Sequence, residues 1–152
     1  MESLDPRVRI IWGLTGLLGA IVVSLGVAIV DTFLFSIGQW LAVVAFVGIG
    51  SCVVPYTLLR YRVWQFEIRD DALHLERGVF TRVETAVPFV RVQHVDTQRG
   101  PVARLLGLAS VVVYTAGSRG ADVTIPGLRS ERANALHNRL RELAIESEED
   151  AV

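Results

Sequence analysis

Between Arg91 and Arg104 the chain reads RVQHVDTQRGPVAR, and here side chains able to do chemistry stand close together. His94 and Asp96 are two apart, so on a strand they share a face. A carboxylate beside an imidazole can orient it as a general base. A base needs something to activate, and no G-x-S-x-G elbow or G-x-x-x-x-G-K-[ST] phosphate loop accompanies the pair. His74, His94 and His137 are scattered without H-E-x-x-H spacing, and the single cysteine, Cys52, sits in an apolar run. Neither a metal cluster nor a disulfide is expected from them. A solvated strand face explains His94 and Asp96 better than an enzyme using them with Arg99. The expectation is therefore no catalytic residue, no cofactor and no metal.

Arginine offers a second kind of chemistry. The chain has arginine and no lysine, and its formal net charge is −1. From 60 to 141 there are 13 arginines against 8 acids, a surplus of five, and the compensating acids crowd into the last eleven residues. Basic residues held at an anionic leaflet gain up to ~1 kcal/mol each. Arg60, Arg62, Arg82, Arg91, Arg99 and Arg104 are the candidates for lipid or partner contact. The alternative is ordinary solvated charge on outer strand faces. Nucleic acid is not an expected partner: no helix-turn-helix or RRM signature occurs, and the isoelectric point is near 6.3.

The elements that carry these residues divide the chain in two. The sequence is 51% hydrophobic, with a mean hydropathy of +0.43, and the excess is concentrated. No charged residue occurs from Ile10 to Val30, nor from Phe33 to Leu59. About 20 apolar residues suffice to cross a bilayer as a helix, so a transmembrane hairpin is expected, with spans near 10–30 and 38–59. The first run is too long for a signal-peptide core and is followed at once by a second. A buried helical pair in a soluble protein would need more chain after residue 60 to wrap it. Arg7 and Arg9 precede the hairpin, Arg60 and Arg62 follow it, and the connection carries only Asp31. The positive-inside rule then gives a multi-pass protein of the cell membrane with both termini cytoplasmic. Trp12, Trp40 and Trp64 fall near span ends, where indoles favour the interface. Gly16, Ala20, Ser24 and Ala28 recur every four residues and form a small-residue ridge that lets another helix come close. That helix is the second span, a second copy, or another membrane protein.

After residue 60 alternation replaces the uniform runs. Trp64, Phe66 and Ile68 share one face, and after a turn at Asp70-Asp71, Leu73 and Leu75 point inward. Arg77-Gly78 breaks the chain, and VFTRVETAVP alternates again up to Pro88. Val90 and Val92 are in phase but Val95 is not, which predicts a β-bulge near Gln93-His94. Pro101 opens a short helix closed by Gly107. SVVVYTAG is a strand, Gly117 and Gly120 bracket a turn, and DVTIP is a strand stopped by Pro126. From Ser130, a candidate cap, an amphipathic helix carries Ala133, Leu136, Leu140 and Leu143 on one stripe. Its acidic tail, 147–152, is expected to fray. The division is thus 1–59 for the N-terminal segment and hairpin, 60–146 for a cytoplasmic domain, and 147–152 for the tail. The fold class is α+β: about six antiparallel strands with a closing helix.

Specific motifs sharpen this. Gly78, Val87-Pro88-Phe89, Arg91-Val92-Gln93, Val95, and Gly100-Pro101 with Arg104-Leu105-Leu106-Gly107, all downstream of a two-span hairpin, resemble the membrane-anchored bacterial and archaeal PH-like domain family, whose simplest members are YdbS-like proteins. His94 departs from the Asn or Ser more usual at its place. The resemblance runs from the hairpin to about residue 145. It implies a PH-like half-barrel capped by the C-terminal helix, a membrane location, and no known reaction. A binding or scaffold role is the function expected of such a module. The expected partners are membrane lipids and either a second copy or a larger membrane protein bearing PH-like repeats.

Overall fold

A computed structural model describes residues 1–35, 38–116 and 122–149. It resolves into two compact units, one of residues 9–59 and one that joins Met1–Val8 to the chain from Arg60 onward.

The first unit is a helical hairpin. Helix α1 (Val8–Val30) leads into a widened π-type turn over Asp31–Phe35, and helix α2 (Trp40–Val63) follows. Val8–Phe33 and Trp40–Val63 are both long and apolar enough to cross a membrane. Large apolar side chains face outward along them: Leu18 and Val22 are each 64% exposed. The small-residue ridge faces the other way. A Cβ on Gly16 would come within 2.6 Å of Val53 Cγ1 on α2, and Ala20 and Ser24 are buried. Hydroxyls bond locally, as a medium without water requires: Ser24 Oγ donates to the Ala20 carbonyl at 2.7 Å and Thr57 Oγ1 to the Val54 carbonyl at 2.8 Å. Asp31 is buried, and its Oδ2 accepts the Gly38 N–H at 3.0 Å, just ahead of α2.

The second unit holds two antiparallel sheets. The first runs β1 (Glu2–Ser3), β2 (Gln65–Ile68), β3 (Ala72–Arg77) and β4 (Val83–Pro88), in that order. The second runs β5 (Val92–Gln98), β6 (Leu108–Thr115) and β7 (Val123–Arg129). A 3₁₀ turn at Phe89–Arg91 joins the sheets, and the short helix α3 (Pro101–Leu105) links β5 to β6. Helix α4 (Ser130–Glu149) closes the unit, burying Ala133, Leu136, Leu140 and Leu143. In β2 and β3 the expected faces meet, with Phe66 opposite Leu75 and Ile68 opposite Leu73. The bulge falls where the broken phase put it, between Val92 and His94.

Four expectations are corrected. Residues 79–82 alternate in type but are not strand. Gly78 turns the chain at φ +101°, and a Cβ there would collide with the Thr81 carbonyl, so the strand begins only at Val83. Pro126 does not stop the last strand, because a register shift opposite Ala109–Val111 and a positive φ at Gly127 (+63°) carry β7 on to Arg129. The Ser130 hydroxyl does not cap its own helix; it donates to the Gly107 carbonyl at 3.1 Å. Helix α4 continues through residues 147–149 of the expected tail, where Ser147 Oγ bonds the Leu143 carbonyl at 2.6 Å. The Gly117–Gly120 turn and residues 150–152 lie outside the described residues.

Candidate functional site

The first eight residues, grouped by chain order with the hairpin, are built into the β-rich unit. Leu4 and Val8 are buried. Strand β1 adds to β2, pairing Glu2 with Phe66 and Ser3 with Gln65. The Asp5 N–H donates to the Gly127 carbonyl at 2.9 Å, and Tyr61 Oη donates to the Leu4 carbonyl at 3.1 Å. Arg132 grips the Glu2 carboxylate with two nitrogens, Arg129 Nε lies 3.6 Å from Asp5 Oδ2, and Arg7 Nη1 donates to the Leu106 carbonyl at 3.2 Å. Three arginines outside the candidate set thus serve as fasteners. Glu67 on β2 is bonded by Arg69 Nε at 2.9 Å and by the Met1 ammonium at 3.2 Å. The Arg69 bond first, then the ammonium, holds its carboxyl below the ordinary carboxylate range.

The candidate arginines are spread out. Arg60 and Arg62 occupy the last turn of α2, and Arg82 lies in the link before β4. Arg91 ends the 3₁₀ turn, Arg99 follows β5, and Arg104 sits in α3. Arg99 Nη2 donates to Asn134 Oδ1 on α4 at 3.2 Å. None of the six lines the cavities beside β2 and β3, around residues 1–6, along the hairpin or between β5 and α4.

His94 and Asp96 share the outer face of β5. The His94 ring stacks on Tyr114 of β6, with centroids 4.2 Å apart and planes 17° from parallel. Among the described residues no hydrogen bond joins it to Asp96. Beside it a shallow groove runs between β5 and α4, lined by Gln93, His94, Arg141, Ile145 and Glu148. No group of three or more His, Cys, Asp or Glu able to hold a metal occurs among the described residues.

Two surfaces went unnoticed in the sequence. One is the edge of β4, which among the described residues pairs with β3 alone. Val83 on it is exposed, and Phe80 in the preceding link is 92% exposed. The other is α3, whose Leu105 points outward. Both carry apolar residues that type alone would assign to a core; only burial distinguishes them.

A family model described as Bacterial PH domain matches residues 13–144. The chain is 34% identical over 104 residues to UPF0699 transmembrane protein YdbS of Bacillus subtilis, covering 67% of this chain and 64% of that protein. It is 23% identical over 111 residues to UPF0699 transmembrane protein YdbT of the same organism, covering 64% of this chain but only 22% of that protein. The chain therefore spans less than two thirds of either relative. No solved structure matches it.

Proposed function

The chain belongs to the bacterial PH domain family, and from that premise we propose that it is a membrane-anchored binding and scaffold module, an accessory subunit that assembles with itself or with a longer membrane protein bearing PH-like repeats. The observation that carries this is the β4 edge. A strand paired on one side presents a row of free N–H and C=O groups, a template for another strand. Charge and proline commonly blunt such edges, and β4 carries Glu84 and ends on Pro88, but Val83 and Phe80 stand exposed at its start. The match to a short stretch of the much longer YdbT supports a partner that carries similar units in a larger frame.

Topology follows from two separate features. Residues 1–8 and the chain after Arg60 pair within one compact unit, so both ends of the hairpin leave the bilayer on the same side. The arginines flanking the hairpin support the cytoplasm as that side.

The test is purification of the full chain in mild detergent, with its mass measured by light scattering. A mass of two or more copies, or a stoichiometric PH-like membrane protein alongside it, is expected. The substitutions Val83→Asp and Phe80→Ser should shift the complex toward a single copy while leaving the circular dichroism unchanged. A single copy alone in the unaltered protein, under conditions that retain the fold, overturns the assembly reading.

A further inference from the structure

Helix α3 is only five residues long and turns apolar side chains outward: Leu105 is 88% exposed and Val102 is 40% exposed. One exposed leucine is ordinary on a soluble surface. What sets this one apart is where the chain is fastened. The carbonyl of the next residue, Leu106, accepts a hydrogen bond from Arg7 Nη1 at 3.2 Å. Arg7 is the residue immediately before Val8, where the first apolar span begins. Val8 itself is buried against Gly127, at a position where a Cβ would collide with it. The other side of α3 is held too, since the Gly107 carbonyl accepts from both the N–H and the hydroxyl of Ser130 at 3.1 Å. The turn is therefore pinned, through a single side chain, to the point at which the chain becomes apolar.

Its flanking chemistry suits the same boundary. Arg104 on α3 is exposed beside Leu105. An arginine stem can lie along hydrocarbon while its head reaches phosphate, and basic residues at an anionic leaflet are favoured. Apolar tips with a basic neighbour are what interfacial segments use to sit at the boundary between headgroups and acyl chains.

We propose that α3 is a lipid-docking turn: Leu105 and Val102 enter the headgroup–acyl boundary of the leaflet and Arg104 pairs with lipid phosphate. This fixes one face of the β-rich unit against the membrane and leaves the β4 edge for a protein partner. It rests on Val8–Phe33 crossing the bilayer and is independent of the assembly reading.

The test uses the full chain in vesicles of mixed phosphatidylglycerol and phosphatidylcholine. Cys52→Ser removes the native thiol, and single cysteines then carry a nitrobenzoxadiazole dye at position 105 (Leu105→Cys), position 21 (Ile21→Cys, on α1) or position 70 (Asp70→Cys, at the far end of β2 from Trp64). All three sites are exposed, so the labels leave the packing alone. At 105 the emission should shift to the blue, resist quenching by aqueous iodide, and be quenched by a nitroxide placed at the lipid headgroup. At 70 the dye should stay open to iodide, and at 21 a nitroxide deep in the acyl chain should quench it. If 105 behaves like 70 while 21 is quenched from the bilayer, the docking turn is overturned and the hairpin reading survives. Shielding at 105 without quenching by any nitroxide lipid means that protein covers the turn, which also overturns it. Iodide access at 21 overturns the spanning reading and this inference together.

Discussion

The same residue types do opposite things in the two units. In the β-rich unit Leu73, Val111 and Ile125 are 0% exposed, and in the hairpin Leu18 and Val22 are 64% exposed. In the β-rich unit apolar surface leaves water by meeting other side chains across two sheets and a helix. In the hairpin it meets almost nothing of the chain except along the ridge of Gly16, Ala20 and Ser24. Exposure of that extent along two helices is untenable in water, where a monomer rarely shows an apolar patch beyond a few hundred Å². It is the ordinary condition of helices whose solvent is hydrocarbon. Exposure alone therefore has no fixed meaning: a bare leucine is the rule on the hairpin helices, and in the β-rich unit its meaning depends on what stands beside it.

The comparison breaks most readily at the core. Leu140 is fully buried on α4, and Leu140→Ala should cost about 2–5 kcal/mol, the range for a large-to-small change with a residual cavity. Urea unfolding of the full chain in detergent, followed by the near-ultraviolet signal of the buried Trp64, measures this. A loss within the scatter of surface substitutions would mean that α4 does not close the sheet.

A matched pair of arginine substitutions sharpens it. Val22→Arg places a charge at the middle of α1, where insertion scales assign about 2.5–3.5 kcal/mol against a charged residue. Gln93→Arg makes a similar change at an exposed site on β5 and should stay within about 0.5 kcal/mol. Membrane yield and thermal stability of the two variants should separate them clearly. Equal tolerance would show that both surfaces face water, and the contrast between the units would collapse.

How much of this could be read from the sequence differs between the regions for a physical reason. The spans were plain because uniform hydropathy over 20 residues needs no knowledge of contacts. Strands β2 and β3 and the stripe on α4 were plain because each buries one face and so writes its period into the chain. The bulge announced itself by breaking phase between Val92 and Val95. The N-terminal fastening left no such trace. Strand β1 is two residues long, too short for any period, and Glu2 and Arg132 are separated by 130 positions. Pro126 misled because its effect was local, whereas the register shift opposite Ala109–Val111 that lets β7 continue is a property of two strands together. The arginines could be counted but not placed. Arg7, Arg129 and Arg132 are fasteners, while of the six candidates Arg60 and Arg62 share the last turn of α2 and the other four lie at separate places along the chain.

That fastening yields the smallest expected effect. Glu67 is bonded by Arg69 and by the Met1 ammonium, and its carboxyl is held below the ordinary value of 4.5, chiefly by the Arg69 bond. A folded-state pKa below the unfolded one means that folding favours the ionised form. The contribution is complete above the ordinary value and is lost as pH falls through the depressed folded value. Glu67→Gln removes it. The melting temperature of the full chain should therefore exceed that of the variant by a small, constant margin from neutral pH down to the ordinary carboxylate range, and the two curves should converge below it. Because the group is partly exposed, added salt should shrink the margin even at neutral pH. A margin that persists unchanged in acid would show that Glu67 acts through the shape of its side chain rather than its charge. The ion pairs around β1 would then be incidental to holding the first eight residues in the β-rich unit.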